Sequence, residues 1–248
     1  GRPAALSVGL IYGKEGYKMI TTQLKEVEEH IRAACIRAGR NPKEVTLLAV
    51  SKTKPVPTLL EAYNSGVRDF GENKVQELTA KEPQMPSDIR WHMIGHLQRN
   101  KVGQVLGKTV LIHSVDSLRL AEQIETEAAR RNLDVDILLE INVAREESKF
   151  GFLLEEAEEA VRTISRLPHV HIKGLMTIAP FVDDPEENRP IFKKLYEFAV
   201  DINKQNIDNV TMSVLSMGMT GDYEVAIEEG ATIVRVGTGI FGTRQTLA

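Results

Sequence analysis

Apolar residues recur along the chain in two patterns, one typical of helices and one of buried strands. From Ile20 to Ala34 the apolar positions return every three or four residues, and Gly39 ends that run. This spacing predicts an amphipathic helix ahead of the first strand. Short apolar and β-branched runs then follow at intervals, and each is typical of a buried strand. They cover residues 45–51, 67–70, 89–94, 110–114, 135–142, 170–175, 210–215 and 232–236.

Helical patterns separate these strands. They cover residues 56–64, 118–131, 154–166, 186–204 and 223–229, with further helices starting near residues 74 and 97. Strands that alternate with helices indicate a parallel sheet, and eight such units can close into a (β/α)₈ barrel of about 250 residues. An open doubly wound sheet is the alternative, but eight repeats that end on a strand favour closure. We predict an α/β fold, a single (β/α)₈ TIM barrel over residues 19–248 with an extra N-terminal helix.

Residues 1–18 show no regular apolar pattern and lack the layout of a signal peptide. Because Met19 directly precedes the helical pattern, we expect residues 1–18 to be an added leader or a flexible arm. An ordered native arm is the alternative.

Composition narrows the class of protein. The 248 residues are 42% hydrophobic and 27% charged, with a net charge of −4, which suits one globular domain. Mild acidity gives no reason to expect nucleic acid or a membrane surface as a partner. No apolar run is long enough for a transmembrane helix. The single cysteine, Cys35, excludes an internal disulfide and suits the cytoplasm.

A glycine-rich segment, Gly237 to Gly242, matches G-x-G-x-x-G. A dinucleotide site would need a helix, a second strand and an acidic residue about 20 positions on, for which the sequence to Ala248 leaves no room. In barrels, however, the loops after strands seven and eight often bind phosphate. Backbone N–H groups at Gly237 and the hydroxyls of Ser216 and Thr238 are therefore candidate phosphate ligands. The alternative is that the glycines only form a tight turn.

Lys52 follows the first strand, on the same face as Leu48 and Val50. If that face points into the barrel, we expect Lys52 at its mouth, where desolvation lowers the pKa of the amine. A neutral amine can attack an aldehyde and form a Schiff base. The alternatives are a lysine that extends into solvent or pairs with Glu72, and Lys54 is the second candidate for the amine.

Arg235 precedes the glycine-rich segment on the last strand. A ligand whose phosphate lies at this segment could place its ring against the guanidinium, and an ion pair with Glu140 is the alternative. A lysine, a phosphate cradle and a cation facing the ring together predict a phosphorylated aromatic aldehyde, pyridoxal 5′-phosphate (PLP). We expect no metal site, because Gly95 separates His92 from His96 and no further ligands cluster there.

Several separate segments resemble the pyridoxal phosphate homeostasis protein family, whose fold is similar to the N-terminal barrel of alanine racemase. They are LAVSKTKP at 48–55, FGEN at 70–73, HMIGHLQRNK at 92–101, GLMT at 174–177, LSMGM at 215–219 and RVGTGIFG at 235–242. The resemblance implies that Lys52 holds the cofactor as a Schiff base and that Arg235 faces the pyridine nitrogen. It also implies that Ser216, Gly237 and Thr238 surround the phosphate, and that Asn73 and Met176 are neighbours of the ring.

The resemblance implies a binding protein that stores or carries PLP in the cytoplasm and passes it to PLP-dependent apo-enzymes. We expect a monomer without robust catalytic activity. A charged arginine disfavours a protonated ring nitrogen, and the tyrosine that racemases use as a second base has no obvious counterpart. Tyr63, Tyr196 and Tyr223 all fall in predicted helices, and the racemase's β-rich second domain is not expected. One alternative is a PLP-dependent amino-acid racemase or another weak amino-acid-transforming enzyme. Another is a Schiff-base aldolase that uses Lys173.

Overall fold

Eight parallel strands close into a barrel, as the alternating pattern predicts. The computed structural model describes the backbone of residues 4–242 and the side chains of residues 19–242. Each strand pairs with the next in parallel, and β1 pairs with β8 to complete the circle. The strands are β1 (Thr46–Val50), β2 (Asp69–Glu72), β3 (Arg90–Met93), β4 (Leu111–Val115), β5 (Val135–Glu140), β6 (Val170–Met176), β7 (Val210–Ser216) and β8 (Ile233–Val236).

Helices surround the barrel and connect its strands. They are α1 (Ala4–Arg37), α2 (Val56–Asn64), α3 (Val75–Lys81), α4 (Val102–Val105), α5 (Leu118–Arg131), α6 (Leu154–Ser165), α7 (Arg189–Lys204), α8 (Tyr223–Glu228) and α9 (Thr238–Phe241). Short 3₁₀ turns precede β1, β3, α4 and α7. None of the helices within residues 4–242 has both the length and the apolar content that crossing a membrane requires.

The predicted extra helix is present as α1, but it is longer than its apolar pattern indicates. Its buried residues include Ile20, Leu24, Val27 and Ile31, and it packs against α2, α8 and α9. We predicted a helix from Ile20, whereas α1 begins at Ala4. Extending an existing helix needs no new nucleus, so a segment without an amphipathic pattern can still continue it. Whether residues 1–18 are native or an added leader stays a prediction, and residues 1–3 lie outside the described residues.

Two hydrophobic layers hold the barrel. The larger layer lies between the strands and the surrounding helices. The smaller layer fills the barrel interior, and its buried members are Leu48, Val50, Ile94, Leu111, Leu138, Met176 and Ile233. Because side chains alternate along a strand, residues two apart from these positions also face the interior. The interior layer therefore identifies which residues at the strand ends point into the barrel mouth.

Strand β6 is irregular at Gly174. The pairing of β6 with both neighbours shifts between Ile172 and Gly174, which is the signature of a β-bulge. A side chain at position 174 has no room, because an added Cβ would lie 1.7 Å from the carbonyl oxygen of Val214. After the bulge, Met176 faces the barrel interior, whereas Ile172 belongs to the outer layer.

Candidate functional site

The carboxyl end of the barrel brings together the residues predicted to hold a cofactor. In a parallel barrel all strands end at the same face, so residues that are distant in sequence meet there. Met176 and Ser216 are the last residues of β6 and β7, and Arg235 lies near the end of β8. The remaining predicted residues follow strand ends, and they are Lys52 after β1, Asn73 after β2, and Gly237 and Thr238 after β8.

Arg235 lies inside the barrel mouth and is almost fully buried, with 4% of its surface exposed. Its Nη1 donates to Ser216 Oγ at 2.6 Å, and its Nη2 donates to the carbonyl oxygen of Thr177 at 2.9 Å. Burial lowers the pKa of Arg235 to about 10, against the opposing influence of Glu140 and Asp222. The guanidinium therefore stays charged at neutral pH, as a fixed cation in the floor of the site.

A chain of polar side chains continues from Ser216 across the barrel interior. Ser216 Oγ lies 2.9 Å from His113 Nδ1, and His113 Nε2 lies 2.9 Å from His92 Nδ1. His92 Nε2 lies 2.9 Å from Asp69 Oδ1. All four side chains are buried. This chain extends the polar floor of the site through the barrel to its amino end.

Sequence reasoning did not assign a role to His113, Asp69 or His92. A usable signal was present, because His92 lies two residues before Ile94 and His113 two residues after Leu111. Both apolar residues face the interior, so period-two alternation turns both imidazoles inward.

Glu140, the last residue of β5, is a second interior group with altered chemistry. It lies two residues after the inward-facing Leu138 and is 6% exposed. Desolvation and the nearby Asp116 raise the pKa of Glu140 to about 7, whereas Arg235 and Lys149 oppose this rise. We had considered an ion pair of Glu140 with Arg235. The hydrogen bonds of that guanidinium instead go to Ser216 and Thr177.

Lys52 follows β1, the strand that pairs with β8 beside Arg235, and its side chain is exposed. The expected desolvation of Lys52 is therefore wrong for this structure. Its physical reason is that β1 ends at Val50, so Lys52 belongs to the turn beyond the barrel interior. Leu48 and Val50 do face the interior, as predicted. Lys54, the second candidate for the amine, is half-buried.

A group of charged and polar side chains fixes the turn that carries Lys52. We call it the Lys81 cluster, and it consists of Lys81, Glu72, Glu77 and Ser51. Lys81 Nζ donates to Glu72 Oε1 at 2.7 Å, to Glu77 Oε2 at 2.7 Å and to the carbonyl oxygen of Ser51 at 2.8 Å. Ser51 Oγ also donates to Glu72 Oε1 at 2.7 Å. The partner that we considered for Lys52, Glu72, is thus bound to Lys81 instead.

The same cluster fixes the backbone on the other side of Lys52. The amide of Thr53 donates to Glu77 Oε2 at 2.8 Å, and Thr53 has a φ of 63°. Left-handed backbone is unfavourable for a β-branched residue. Contacts on both sides of Lys52 therefore hold the turn while its amine stays accessible.

The glycine-rich segment forms the first turn of α9. Gly237 directly precedes this short helix, and Thr238 is its first residue and is exposed. An added Cβ at Gly237 would lie 3.3 Å from Val50 Cβ, so the backbone here approaches β1 closely. The amide of Gly239 donates to Thr220 Oγ1 at 3.1 Å. We predicted a glycine-rich turn that exposes backbone N–H groups. The structure makes that turn the start of a helix, where N–H groups also point outward.

Asn73 and Met176 complete the residues predicted for the site. The oxygen Oδ1 of Asn73 is buried and has no hydrogen-bond partner among the described residues. A buried oxygen without a partner costs about 1–3 kcal/mol, and a hydrogen-bond donor on a bound ligand would remove this cost. Met176 is fully buried and adds an apolar surface to the floor.

The other candidate residues lie in ordinary structural contacts. His96 Nδ1 lies 2.9 Å from Asp116 Oδ2, and within residues 19–242 no three potential ligands group as a metal site. Tyr63 donates to Asp88, and Tyr223 contacts His30, both outside the barrel interior. Lys173 is half-buried, so it is not the deeply buried lysine that an aldolase would need.

Comparisons with known proteins agree with this geometry. The family model described as alanine racemase, N-terminal domain, matches residues 23–245. A protein of Aquifex aeolicus named pyridoxal phosphate homeostasis protein is 46% identical over 224 residues, which cover 90% of this chain and 97% of the relative.

Solved structures with the same barrel include two that are similar in sequence. The crystal structure of an unknown protein from Bifidobacterium adolescentis is 39% identical, with a TM-score of 0.88, and covers 92% of this chain and 96% of its own. PipY of Synechococcus elongatus, solved with PLP bound, is 34% identical, with a TM-score of 0.78, and covers 90% of this chain and 100% of its own. The resemblance that the sequence motifs indicated is therefore confirmed, and the chain belongs to the pyridoxal phosphate homeostasis protein family.

Proposed function

We propose that this protein binds pyridoxal 5′-phosphate at the carboxyl end of its barrel and serves PLP homeostasis as a store or carrier. The observation that carries the proposal is the PLP-bound structure of PipY, a relative that matches nearly this whole chain. The name of the Aquifex aeolicus relative supports the physiological role. The polar floor around Arg235 supports the site.

The residues at the mouth suit the chemistry of this cofactor. We infer that Lys52 supplies a primary amine, which joins the aldehyde carbon as a Schiff base with loss of one water. Arg235 would donate a hydrogen bond toward the pyridine nitrogen, and Asn73 and Met176 would contact the ring. When bound, PLP supplies an electrophilic carbon and an electron-accepting ring.

We assign the phosphate to the segment after β8, next to the end of β1. Gly237 and Thr238 offer backbone N–H groups and a hydroxyl at the start of α9. Ser216 was predicted beside the phosphate as well. Its hydroxyl already contacts Arg235 and His113, so its part in phosphate binding stays a prediction.

Holding the cofactor fits these residues better than strong catalysis does. The pKa of Arg235 stays well above neutral, so the guanidinium keeps its charge and disfavours a proton on the ring nitrogen. The alternative is a PLP-dependent racemase or another weak amino-acid-transforming enzyme at the same lysine. Incubation with single L-amino acids in D₂O separates the two, because α-proton exchange at ordinary enzyme rates would contradict the carrier proposal.

We further propose that the protein acts in the cytoplasm as a monomer and delivers PLP to PLP-dependent apo-enzymes. Support comes from its composition, with a single cysteine that is buried in α1. The accessible amine of the Lys52 turn also suits a cofactor that must be released again.

The decisive experiment is a visible spectrum of the pure protein with PLP, before and after borohydride reduction, followed by peptide mapping. We expect a coloured protein and a reduced label on Lys52, and no label after Lys52→Ala. Lys54→Ala is the matched control, since Lys54 lies in the same turn. A label on Lys54 would contradict the assignment of Lys52, and a protein that takes up no PLP would contradict the binding function itself.

A further inference from the structure

A single line of hydrogen bonds connects the ring-facing cation of the site to the amino end of the barrel. It runs from Arg235 on β8 through Ser216 on β7, His113 on β4 and His92 on β3 to Asp69 on β2. Each of the four contacts is 2.9 Å or shorter, and each of the five residues is at most 7% exposed. At the far end, Arg90 donates to both oxygens of Asp69, at 2.9 and 2.7 Å.

The two ends of the line determine which atom carries each hydrogen. Arg235 can only donate, so Ser216 Oγ accepts at that contact. Hydrogen bonds from His92 and Arg90 lower the pKa of Asp69 in spite of its burial, so this carboxylate is ionised and only accepts. His92 must therefore donate from Nε2 to Asp69.

The charge of the two imidazoles determines where the hydrogens lie in the middle of the line. Burial and the charge of Arg235 keep the pKa of His113 well below its ordinary value, so His113 is neutral and has one N–H. With a neutral His92, Nδ1 of His92 accepts from His113 Nε2, and His113 Nδ1 accepts from the Ser216 hydroxyl. Every hydrogen then points from Arg235 toward Asp69.

The competing arrangement needs one more proton. His92 would carry protons on both nitrogens, His113 would donate from Nδ1 to Ser216, and the Ser216 hydrogen would be free. That places a second cation beside Asp69, whose charge Arg90 already balances through two hydrogen bonds. Burying an unbalanced charge is costly, so the neutral arrangement is favoured.

We propose that Asp69, His92 and His113 are positioning residues, which fix the Ser216 hydroxyl as an acceptor and thereby hold the Arg235 guanidinium in place for the cofactor ring. The proposal rests on the proposed function only in naming the ring as the group that Arg235 faces. It gives Ser216 a role different from that of a phosphate donor, because its only hydrogen points to His113.

The proton arrangement is tested without any cofactor. Long-range ¹H–¹⁵N correlation spectra of the protein with ¹⁵N-labelled histidines report which ring nitrogen carries the proton. We expect His92 and His113 to be neutral, each with its proton on Nε2. A proton on Nδ1 of His113, or on both nitrogens of His92, would overturn the proposal whether or not the protein binds PLP.

The effect on the cofactor is tested by two substitutions at one position. Asn in place of His113 keeps an oxygen near the Nδ1 position that can accept from Ser216, whereas Leu does not. Both variants lose the contact with His92. PLP titration followed by absorbance is expected to show about tenfold weaker binding for His113→Leu, the effect of one lost hydrogen bond to a charged network. His113→Asn is expected to bind PLP within about threefold of the unsubstituted protein.

A histidine outside the line of hydrogen bonds provides the matched control. His169→Leu removes a half-buried histidine that contacts Glu125 at the amino end of β6, and PLP binding should not change. Equal losses in His113→Leu and His113→Asn would assign His113 to packing alone and overturn the positioning role. An unsubstituted protein that binds no PLP would contradict the proposed function instead, and the histidine spectra would still decide the proton arrangement.

Discussion

Lys52 and Arg235 lie beside each other at the carboxyl end of the barrel, on the neighbouring elements β1 and β8, and the protein holds them in different ways. The side chain of Lys52 is exposed, and only the turn that carries it is fixed, by the ionic Lys81 cluster. The guanidinium of Arg235 is buried and is fixed directly, by hydrogen bonds to a neutral hydroxyl and a carbonyl group. One cation is therefore accessible and the other is immobile.

The difference fits the roles that we propose for the two groups. An amine that forms and breaks a covalent bond must be reached by an aldehyde and by water, and an exposed turn provides this. A cation that sets the charge around a ring acts best where its position does not change and where water is excluded. We therefore expect stability and binding to respond differently to substitutions around Lys52 and around Arg235.

The largest expected effect on stability comes from the Lys81 cluster, which holds the turn that carries Lys52. Lys81→Met leaves the buried Glu72 without its ionic partner, and losing one member of a buried pair costs about 3–5 kcal/mol. We expect a decrease of this size in the free energy of unfolding, measured by urea denaturation at pH 8. The double variant Glu72→Gln, Lys81→Met should recover much of the loss, because no fully buried carboxylate then remains without a partner. A loss below about 1 kcal/mol in the single variant would show that the cluster is not what holds the turn.

The second largest expected effect is a dependence of stability on pH, and it comes from the buried Glu140. The pKa of Glu140 is about 7 in the folded protein against an ordinary value of 4.5, so between these values the folded state holds a proton that the unfolded state has released. Stability from this group is therefore fully present below pH 4.5 and decreases as the pH rises to about 7. The shift of 7 − 4.5 corresponds to about 3 kcal/mol.

Glu140→Gln is expected to remove this pH dependence. A neutral amide resembles the protonated carboxyl, so the variant should exceed the unsubstituted protein in stability by up to about 3 kcal/mol at pH 8 and match it at pH 4. Urea denaturation across this range measures the difference between the two proteins. Glu159→Gln, at an exposed position of α6, serves as the control. A difference that stays constant with pH would mean that Glu140 does not titrate in this window.

The smallest expected effect is a gain in stability at the Lys52 turn. Thr53→Gly replaces a β-branched residue at a φ of 63° with one that adopts this backbone freely, and we expect up to about 1 kcal/mol of stabilisation. Asn132→Gly is the control, because asparagine already tolerates its φ of 53°. Thermal unfolding of both variants measures the difference. A destabilised Thr53→Gly would show that the turn needs the stiffness of threonine more than relief from strain.

Most of the fold could be predicted because eight buried strands each leave a strong local pattern. Each predicted strand lies within about three residues of an observed one, and α2 and α5 match their predicted bounds. The N-terminal part of α1 and the short helix α9 were not predicted. The first extends an existing helix without an amphipathic pattern, and the second directly follows a glycine that also suits a turn.

Residues of the candidate site could be predicted where the residue type itself indicates the chemistry. Burial and pairing could not be predicted where contacts with residues distant in sequence determine them. Lys52, Arg235 and Gly237 do lie at one face, as strand parity and the barrel rule indicated. The choice between a desolvated and an exposed Lys52 could not be made from the sequence, because it depends on the residue at which β1 ends. Likewise, the partner of Glu72 is a lysine on α3, and no local pattern links the two.

The bulge at Gly174 changes which side chains of β6 point into the barrel halfway along the strand. Counted in steps of two from Val170, Met176 would belong with the outer layer, yet the inserted residue turns it inward. Val170 and Ile172 thus face the helices, whereas Met176, at the carboxyl end of the same strand, faces the barrel interior. A methyl group at position 174 would push β7 away and displace Ser216, so this glycine fixes the shape of the floor around Arg235.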